Sequence, residues 1–301
     1  MSARNASILF TAVIGVRATA YLFSKLLLVD MGPFMLMGIR FLLAFALLAI
    51  LFNKSMRSLT RATLLHGMVL GALFFIVMGF ELVSLTLAAS STVAFLENTA
   101  IVFVPLLEAL IARKLPTFKA VACTVAAMVG VGFLTLGDGV GAFGVGELLA
   151  LLAGIFYAVV IIVTARVAKN DDATALGVLQ VGFIGLFGLV AGLMFEAPAL
   201  PQAPLAWGYL AILVVMCTCF GFAFQPVAQR GISSERAALL LAVSPLIAAV
   251  LGIVVLDEPF GPSTLAGMVL ILGGIVASSV RRKTARGCSS LVRPDHQEAH
   301  G

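Results

Sequence analysis

The sequence predicts an all-α integral membrane protein: ten transmembrane helices arranged as two inverted repeats of five helices each. Three observations support this fold class. The 301 residues are 61% apolar and 11% charged, whereas soluble domains average roughly 45–50% apolar and about 25% charged residues. Ten stretches are long and apolar enough to cross a bilayer, and related segments recur in the two halves of the chain.

Each predicted span approaches the ~20 apolar residues that a membrane helix needs. No small-residue cleavage site follows the first apolar run, so we interpret that run as a retained helix. The ten spans, in chain order, are residues 8–28, 34–53, 64–84, 91–112, 118–136, 147–165, 174–195, 207–227, 236–255 and 264–280. The connections between them are short, so neighbouring helices are expected to be antiparallel.

The basic residues predict the orientation. Sixteen of the nineteen Lys and Arg residues lie on one set of faces, and the opposite loops carry none. By the positive-inside rule, both termini are cytoplasmic and the number of spans is even. Residues 281–301 are polar and are predicted to form a disordered cytoplasmic tail. With short loops throughout, the sequence predicts a multi-pass protein with no soluble domain.

Two pairs of similar segments reveal an internal repeat. The run YLFSKLLLVDMGPFMLMGIRF is echoed by VIIVTARVAKNDDATALGVLQV, and the polar span within 88–116 is echoed by 231–259. The repeats are therefore predicted to be residues 1–140 and 141–280. Because five spans is an odd number, the second repeat is inverted, an arrangement that recurs in secondary transporters with a site near the midplane.

Apart from Lys119, Glu147 and Arg236 at the starts of spans, six charged residues lie within the predicted spans. A charge at the bilayer centre costs ~2.5–3.5 kcal/mol on insertion scales, which suggests that these cations and anions neutralise one another. The set comprises Arg17, Lys25, Arg40, Glu81, Glu97 and Glu108. Lys25 and Arg40 are expected to form structural pairs or to reach the outer interface, and Glu108 to reach the inner one. Arg17 and Glu97 lie too deep for this, and lining a substrate cavity is the alternative to mutual pairing.

Spacing places these charges in two stripes. Arg17, Tyr21 and Lys25 are four residues apart and share a face of the first span. Glu97 and Glu108 are eleven apart, about three helical turns, and are predicted to share a face of the fourth. A lined central cavity would produce such stripes, and so would two helices that merely pair with each other.

Further polar residues in the spans are weaker candidates for binding a ligand. They are Asn98, Tyr157, Gln180 and Gln225, and hydrogen bonds between helices explain each of them equally well.

Pro105 and Pro245 are expected to bend the fourth and ninth spans. Glycines of the seventh span, at 177, 185, 188 and 192, share one face and predict a close packing seam.

Several classes of chemistry find no support. The four cysteines lack metal-ligand spacing, so neither a metal site nor a disulfide is predicted. No Ser-His-Asp arrangement can be assembled within the spans, which argues against a membrane-embedded enzyme. No G-x-x-x-x-G-K-[ST] motif is present, so this chain is not expected to use ATP directly. The sequence predicts no cofactor and no nucleic-acid partner.

Three segments resemble the EamA-like carriers of the drug/metabolite transporter superfamily, which have ten helices. YLFSKLLLVDMGPFMLMGIRFLLA resembles the opening pair of helices, and SSTVAFLENTAIVFVPLLEALI resembles the fourth. SERAALLLAVSPLIAAVLGIVVLDEPFGPSTLAGMVLILGGI resembles the ninth-to-tenth signature and is the most specific. The resemblance implies a basket of inverted repeats that exports small metabolites across the bacterial inner membrane. One branch of the family exports aromatic and other neutral amino acids.

The sequence departs from the family where the first helix usually carries Trp-Gly. Arg17 and Ala18 stand there instead. A cation at this depth either directs selectivity toward an anionic group or reflects a change introduced into the sequence.

The leading hypothesis is a secondary transporter that exports amino acids, neutral or aromatic ones included, by alternating access. A multidrug or nucleoside exporter is the alternative within transport, and a membrane enzyme or a scaffold protein the alternatives outside it. The predicted substrate-binding residues are Arg17, Tyr21, Glu97, Asn98, Tyr157 and Gln225. Glu97 is a candidate proton carrier if transport is coupled, and Arg17 either holds a substrate carboxylate or neutralises Glu97. The partners expected are a small molecule, the bilayer and, with coupling, protons; a monomer is compatible with the sequence.

Overall fold

A computed structural model describes residues 2–57, 59–113, 144–241 and 243–257, with short pieces between 115 and 133 and between 261 and 273. Every regular element in these ranges is helical. The helices are α1 (Ala3–Leu27), α2 (Pro33–Leu51), α3 (Asn53–Arg57), α4 (Arg61–Leu87), α5 (Ser90–Glu97), α6 (Ala100–Ile111), α7 (Val145–Val167), α8 (Ala173–Phe195), α9 (Pro204–Ile212), a π-helical segment (Leu213–Phe220), α10 (Gly221–Gln229), α11 (Ser234–Leu240) and α12 (Val243–Leu256).

Eight candidate membrane spans lie among the described residues. They are Ala3–Leu27, Pro33–Leu51, Arg61–Leu87, Ser90–Ile111, Val145–Val167, Ala173–Phe195, Pro204–Gln229 and Arg236–Leu256. They coincide with the first four and the sixth to ninth predicted spans. The fifth span, at 118–136, and the tenth, at 264–280, lie largely outside the described residues, as does the predicted tail.

Three helices begin at a side chain that accepts from their free N–H groups. Ser2 caps α1, Thr60 caps α4, and Asp172 caps α8 by accepting from the backbone N–H of Thr174. Helix α2 has Pro33 in its first turn and receives its cap from another part of the chain. The carboxylate of Glu196 accepts from the backbone N–H groups of Phe34 at 2.9 Å and Met35 at 2.8 Å.

Glu196 therefore ties the start of α2 to the end of α8, where it follows Phe195. Glu196→Ala removes two charge-assisted hydrogen bonds at a helix N-terminus and is expected to cost about 1–2 kcal/mol of stability. Thermal unfolding of the purified protein measures this cost. Glu196→Gln keeps an acceptor and should fall between the wild type and the alanine variant. Equal midpoints for all three proteins would show that the cap contributes nothing.

A glycine seam brings α2 and α8 into backbone contact, as the seventh-span pattern predicts. A Cβ atom added to Gly188 would meet the backbone nitrogen of Gly38 at 2.9 Å. One added to Gly185 would meet the backbone nitrogen of Leu42 at 2.7 Å. Helix α4 packs against α8 in a similar way, with Gly67 lying against the side chain of Leu179. These helices, with α7 packed on α4, form the tightly packed side of the bundle.

The fourth and ninth spans are each interrupted near the middle. The first break lies at Asn98 and Thr99, between α5 and α6, and the second lies between Leu240 and Val243. The two breaks are about 143 residues apart, which is the offset of the sequence repeat. Helix α5 packs against α12, and α6 packs against α11. The two broken helices therefore lie side by side in antiparallel orientation, with their interruptions close together.

These breaks correct the expectation that Glu97 and Glu108 share a helix face, and they refine the expectation that Pro105 and Pro245 bend the spans. Glu97 ends α5 while Glu108 belongs to α6, so the two acids do not share a face of one continuous helix. The prolines do not mark the breaks themselves. Pro105 lies inside α6, and Pro245 lies in the first turn of α12, where a missing N–H is tolerated.

Candidate functional site

A cavity lies where α1 meets the broken helices. It encloses about 20 Å³ that the centre of a water-sized molecule can occupy, within about 360 Å³ of empty space that includes the solvent at its opening. Most of its polar lining comes from α1, α2, α4, α5 and α7. The lining residues are Ile14, Arg17, Ala20, Tyr21, Arg40, Met78, Glu81, Glu97, Asn98, Tyr157, Phe222, Leu241 and Ser244. Five of the six predicted substrate-binding residues therefore border one space, and the sixth, Gln225, contacts one of them.

Arg17 is held on one side of the cavity by α7 and α10. Its Nη1 atom donates to the hydroxyl oxygen of Tyr157 and to Oε1 of Gln225, both at 2.7 Å. The guanidinium carbon lies 4.1 Å from the centre of the Phe222 ring, a distance typical of a cation–π contact. Gly221 leaves room for the arginine, because a Cβ there would meet its Cγ at 2.5 Å. The surrounding helices are thus shaped around this cation.

Gln225 is oriented by its contact with Arg17. A guanidinium can only donate hydrogen bonds, so the side-chain oxygen of Gln225 must face it. The amide nitrogen of Gln225 is then buried without a hydrogen-bond partner among the described residues. A buried donor left unpaired is costly. It offers a contact to any ligand or water that reaches this end of the cavity.

Tyr21 and two carboxyl groups form a second cluster, and all three side chains are buried. The hydroxyl of Tyr21 donates to Oε2 of Glu97 at 2.8 Å. The carboxyl group of Glu81 lines the same cavity as that of Glu97. Tyr21 comes from α1, Glu81 from α4 and Glu97 from α5, so three helices converge on this cluster.

Arg40 is fully buried at the cavity and does not reach the outer interface. Only 1% of its surface is exposed. Its Nε donates to the hydroxyl of Thr218 at 2.7 Å, and Nη1 lies 3.5 Å from the hydroxyl of Ser24. Thr218 belongs to the π-helical segment and itself donates to the carbonyl of Leu213, five residues earlier, at 2.8 Å. The hydroxyl that receives Arg40 is thus positioned by the wide helical turn.

Asn98 sits in the first helix break. Its amide nitrogen donates to the carbonyl of Ala94 at 2.6 Å, and its side-chain oxygen has no hydrogen-bond partner among the described residues. Gly154 of α7 packs against the same break, where an added Cβ would meet the carbonyl oxygens of Leu96 and Glu97 at 2.8 Å. The break therefore presents an unpaired acceptor to the cavity and is held by close backbone packing.

Gln180 has a structural role outside the cavity lining. Pro226 has no N–H, so the carbonyl of Phe222, four residues earlier, cannot make its usual helical bond. The amide nitrogen of Gln180 donates to that carbonyl at 2.6 Å. The bond links α8 to α10 and fixes the backbone that carries the Phe222 ring.

Two of the charged residues within the spans, Lys25 and Glu108, do not line the cavity. Lys25 donates to the backbone carbonyl of Ala88 at 2.9 Å. Glu108 lies outside the cavity lining. Conversely, Arg40 and Glu81 line the cavity although the sequence-based site omits them. Their partners, such as Thr218 for Arg40, are far away in sequence, so helix spacing gives no signal for these contacts.

Buried charges beside interrupted membrane helices are the arrangement in which membrane transporters place their sites. The model of the EamA-like transporter family matches residues 5–136 and 144–280. An uncharacterized transporter of Bacillus subtilis (strain 168), YcxC, is 26% identical over 304 residues, covering 93% of this chain and 94% of its own. A solved crystal structure is similar over 95% of this chain and 99% of its own, at 18% identity and a TM-score of 0.70.

The chain belongs to the EamA-like transporter family, as its sequence resemblance implies. Two matches to the family model together cover most of the chain. The likeness to the crystal structure shows the fold alone. The protein is therefore a multi-pass membrane transporter, and the family points away from an enzyme.

Proposed function

We propose that this carrier exports small metabolites, amino acids foremost, across the bacterial inner membrane. The observation that carries the proposal is the pairing of opposite charges in one cavity. Arg17 stands on one side, and the cluster of Glu81 and Glu97 stands on another. Amino acids carry a carboxylate and an ammonium group, which such a cavity complements. A cavity lined only by Phe, Leu and Met would instead favour apolar drugs.

Within the proposal, Arg17 binds the substrate carboxylate. Nη1 is occupied by Tyr157 and Gln225, and the guanidinium has further donors. Tyr21 holds Glu97 in place, and Asn98 offers its unpaired oxygen to the substrate ammonium. Tyr157 and Gln225 orient the arginine and border the bound molecule.

The two repeats, residues 1–140 and 141–280, are proposed to rock about the cavity. The neighbouring breaks of the fourth and ninth spans are proposed to supply flexible points between rigid half-helices. The closely packed α2–α8 seam joins the two repeats and is proposed to be the fixed contact about which they rock. Ten spans, both termini in the cytoplasm and residues 281–301 as a cytoplasmic tail complete the proposed topology, supported by the distribution of Lys and Arg.

Counterflow in proteoliposomes tests the proposed substrate class. Vesicles loaded with one unlabelled amino acid are given the same labelled compound outside, and a panel of amino acids and nucleosides is compared. At least one amino acid is expected to accumulate transiently above vesicles without protein. Nucleoside exchange without amino-acid exchange would overturn the proposal.

Glu97 is proposed to carry a proton during the transport cycle. Glu97→Gln keeps the size of the side chain and its contact with Tyr21 but cannot release a proton. Transport driven by an imposed pH gradient is expected to fall at least tenfold, while counterflow, which needs no net proton movement, falls less. Glu108→Gln, on α6 outside the cavity, is the matched control. A Glu97→Gln protein with unaltered gradient-driven flux would exclude Glu97 as the carrier.

A further inference from the structure

Four buried polar atoms on α7 and α10 have no hydrogen-bond partner among the described residues. They are Oγ1 of Thr164, Nε2 of Gln225, and both Nε2 and Oε1 of Gln229. All three side chains are fully buried, with 0% of their surface exposed. A buried polar group without a partner is costly, and most buried polar groups in proteins have one. The packing of these helices does not by itself account for four such atoms.

The four atoms lie on two helix faces that lead away from Arg17. Nη1 of Arg17 donates to Tyr157 of α7 and to Gln225 of α10, both at 2.7 Å, so the two helices meet at this level. Thr164 follows Tyr157 after two helical turns and therefore shares its face. Gln229 follows Gln225 after one turn and likewise shares its face. The polar atoms thus continue the arginine site along both helices.

Both helices run from Arg17 toward the same face of the bundle. Val167 of α7 and Val227 of α10 pack against the same small apolar cluster, and the two helices end within a few residues of it. Exposed basic residues follow these ends, Lys169 after α7 and Arg230 after α10. In the proposed topology this face is cytoplasmic. The polar atoms therefore lie along a line from the cytoplasm to the cavity.

These side chains are closed off from the cavity in this structure. The cavity lining among the described residues does not include Thr164, Gln225 or Gln229. A hydroxyl and an amide each donate and accept hydrogen bonds and carry no charge. They can therefore contact water, a carboxylate or an ammonium group alike, and each contact would use hydrogen-bonding capacity that is idle here.

We propose that Thr164, Gln225 and Gln229 line the cytoplasmic passage to the cavity, a passage that opens between α7 and α10 and fills with water when the carrier faces inward. Water, and then the substrate, takes up the hydrogen bonds that are unused in the closed arrangement. Because the three side chains are uncharged, they guide a zwitterion to Arg17 without retaining it. This inference rests on the proposed function, since it concerns a route to the same cavity.

Cysteine accessibility tests the passage without any substrate. Gln229→Cys or Thr164→Cys is introduced into a protein whose own four cysteines are replaced by alanine, and a small charged methanethiosulfonate is added to inside-out vesicles. A thiol reacts as its thiolate, which forms in contact with water. Gln229→Cys is expected to react at least about tenfold faster than the control Val227→Cys, whose position faces the apolar cluster. Equal rates at these two positions, or reaction from the opposite side alone, would overturn the inference.

Gln229→Leu separates a passage from a structural role. The substitution removes two unpaired buried polar atoms and keeps a similar size, so the thermal midpoint is expected to stay unchanged or to rise. Transport of an amino acid that the wild type exchanges is expected to fall at least about tenfold, because the passage loses its contacts for water and substrate. Wild-type transport by a folded Gln229→Leu protein would overturn the inference.

Gln180→Leu is the matched control for stability. Gln180 does make a buried hydrogen bond, to the carbonyl of Phe222, so its substitution by leucine should lower the thermal midpoint. A midpoint that falls as far in Gln229→Leu as in Gln180→Leu would show that Gln229 is a structural residue and would overturn its role in the passage.

The outcomes separate this inference from the proposed substrate class. The accessibility measurement needs no substrate, so reactive cysteines at positions 164 and 229 would support the passage even if no amino acid is exchanged. Exchange of amino acids with unreactive cysteines at both positions would overturn the passage and leave the proposed function standing. If Gln229→Leu does not fold, the comparison of Gln229→Cys with Val227→Cys decides.

Discussion

Gly188→Val is expected to prevent most of the protein from folding. The glycine faces Gly38 across the α2–α8 seam, and a Cβ there would meet a backbone nitrogen at 2.9 Å and Cγ of Met37 at 3.0 Å. Backbone cannot move aside as a flexible side chain can. Overpacking of this kind costs about 1–3 kcal/mol or more. The expected result is a marked loss of monodisperse protein on size-exclusion chromatography and a lower thermal midpoint.

Gly208→Val is the matched control for that prediction. Gly208 also lies within a helix, α9, but a Cβ there meets nothing within 4 Å. Both substitutions replace a helical glycine by valine, so the change in helix propensity is the same. Only the contacts around the new side chain differ between the two variants. Equal yields and midpoints for the two valine variants would show that the seam tolerates a wider helix separation than its geometry indicates.

Arg17→Ala is expected to abolish amino-acid transport. The substitution removes the cation from the cavity and leaves Gln225 and Tyr157 without their shared partner. Loss of one partner from a buried charge contact costs about 2–5 kcal/mol, a reduction in affinity of roughly 30-fold or more. Counterflow of an amino acid that the wild type exchanges measures the loss. Arg17→Lys keeps the charge but not the planar fork and should recover only part of the activity.

Arg230→Ala separates a loss at the cavity from a general effect of removing positive charge. Arg230 is exposed just after the end of α10, the helix that carries Gln225. The variant should transport at the wild-type rate. An Arg17→Ala protein that folds and transports normally would show that Arg17 is a structural cation, which is the alternative that its sequence position leaves open.

The eight spans among the described residues were predictable because hydrophobic length and composition alone identify a candidate membrane helix. The same argument could not locate the two breaks. Asn98 and Leu241 lie within stretches whose average hydropathy is that of a continuous helix, and each break depends on contacts made elsewhere. The packing of Gly154 against the carbonyls of Leu96 and Glu97 is one of these contacts. Hydropathy contains no information about it.

The residues that line the cavity were predictable only in part, because some of them are brought together by contacts between distant parts of the sequence. Depth in the membrane identified Arg17 and Glu97 as unusual, and spacing added Tyr21. Arg40 lies in the outer half of its predicted span, which suggested a structural ion pair or a path to the outer interface. The fold covers that path with Thr218 and the π-helical segment, which are 178 residues away in sequence. Contacts of this range follow from tertiary packing.

The π-helical segment also fixes the direction in which the following helix faces. Each residue of an α-helix turns the chain by about 100°, and a wide turn accommodates an additional residue without breaking the helix. If the same eight residues, Leu213–Phe220, formed a regular α-helix, everything after them would be rotated about the helix axis. Phe222 and Gln225 would then turn away from Arg17. The wide turns of this segment, and not only the identity of its residues, determine whether the cavity has its aromatic wall.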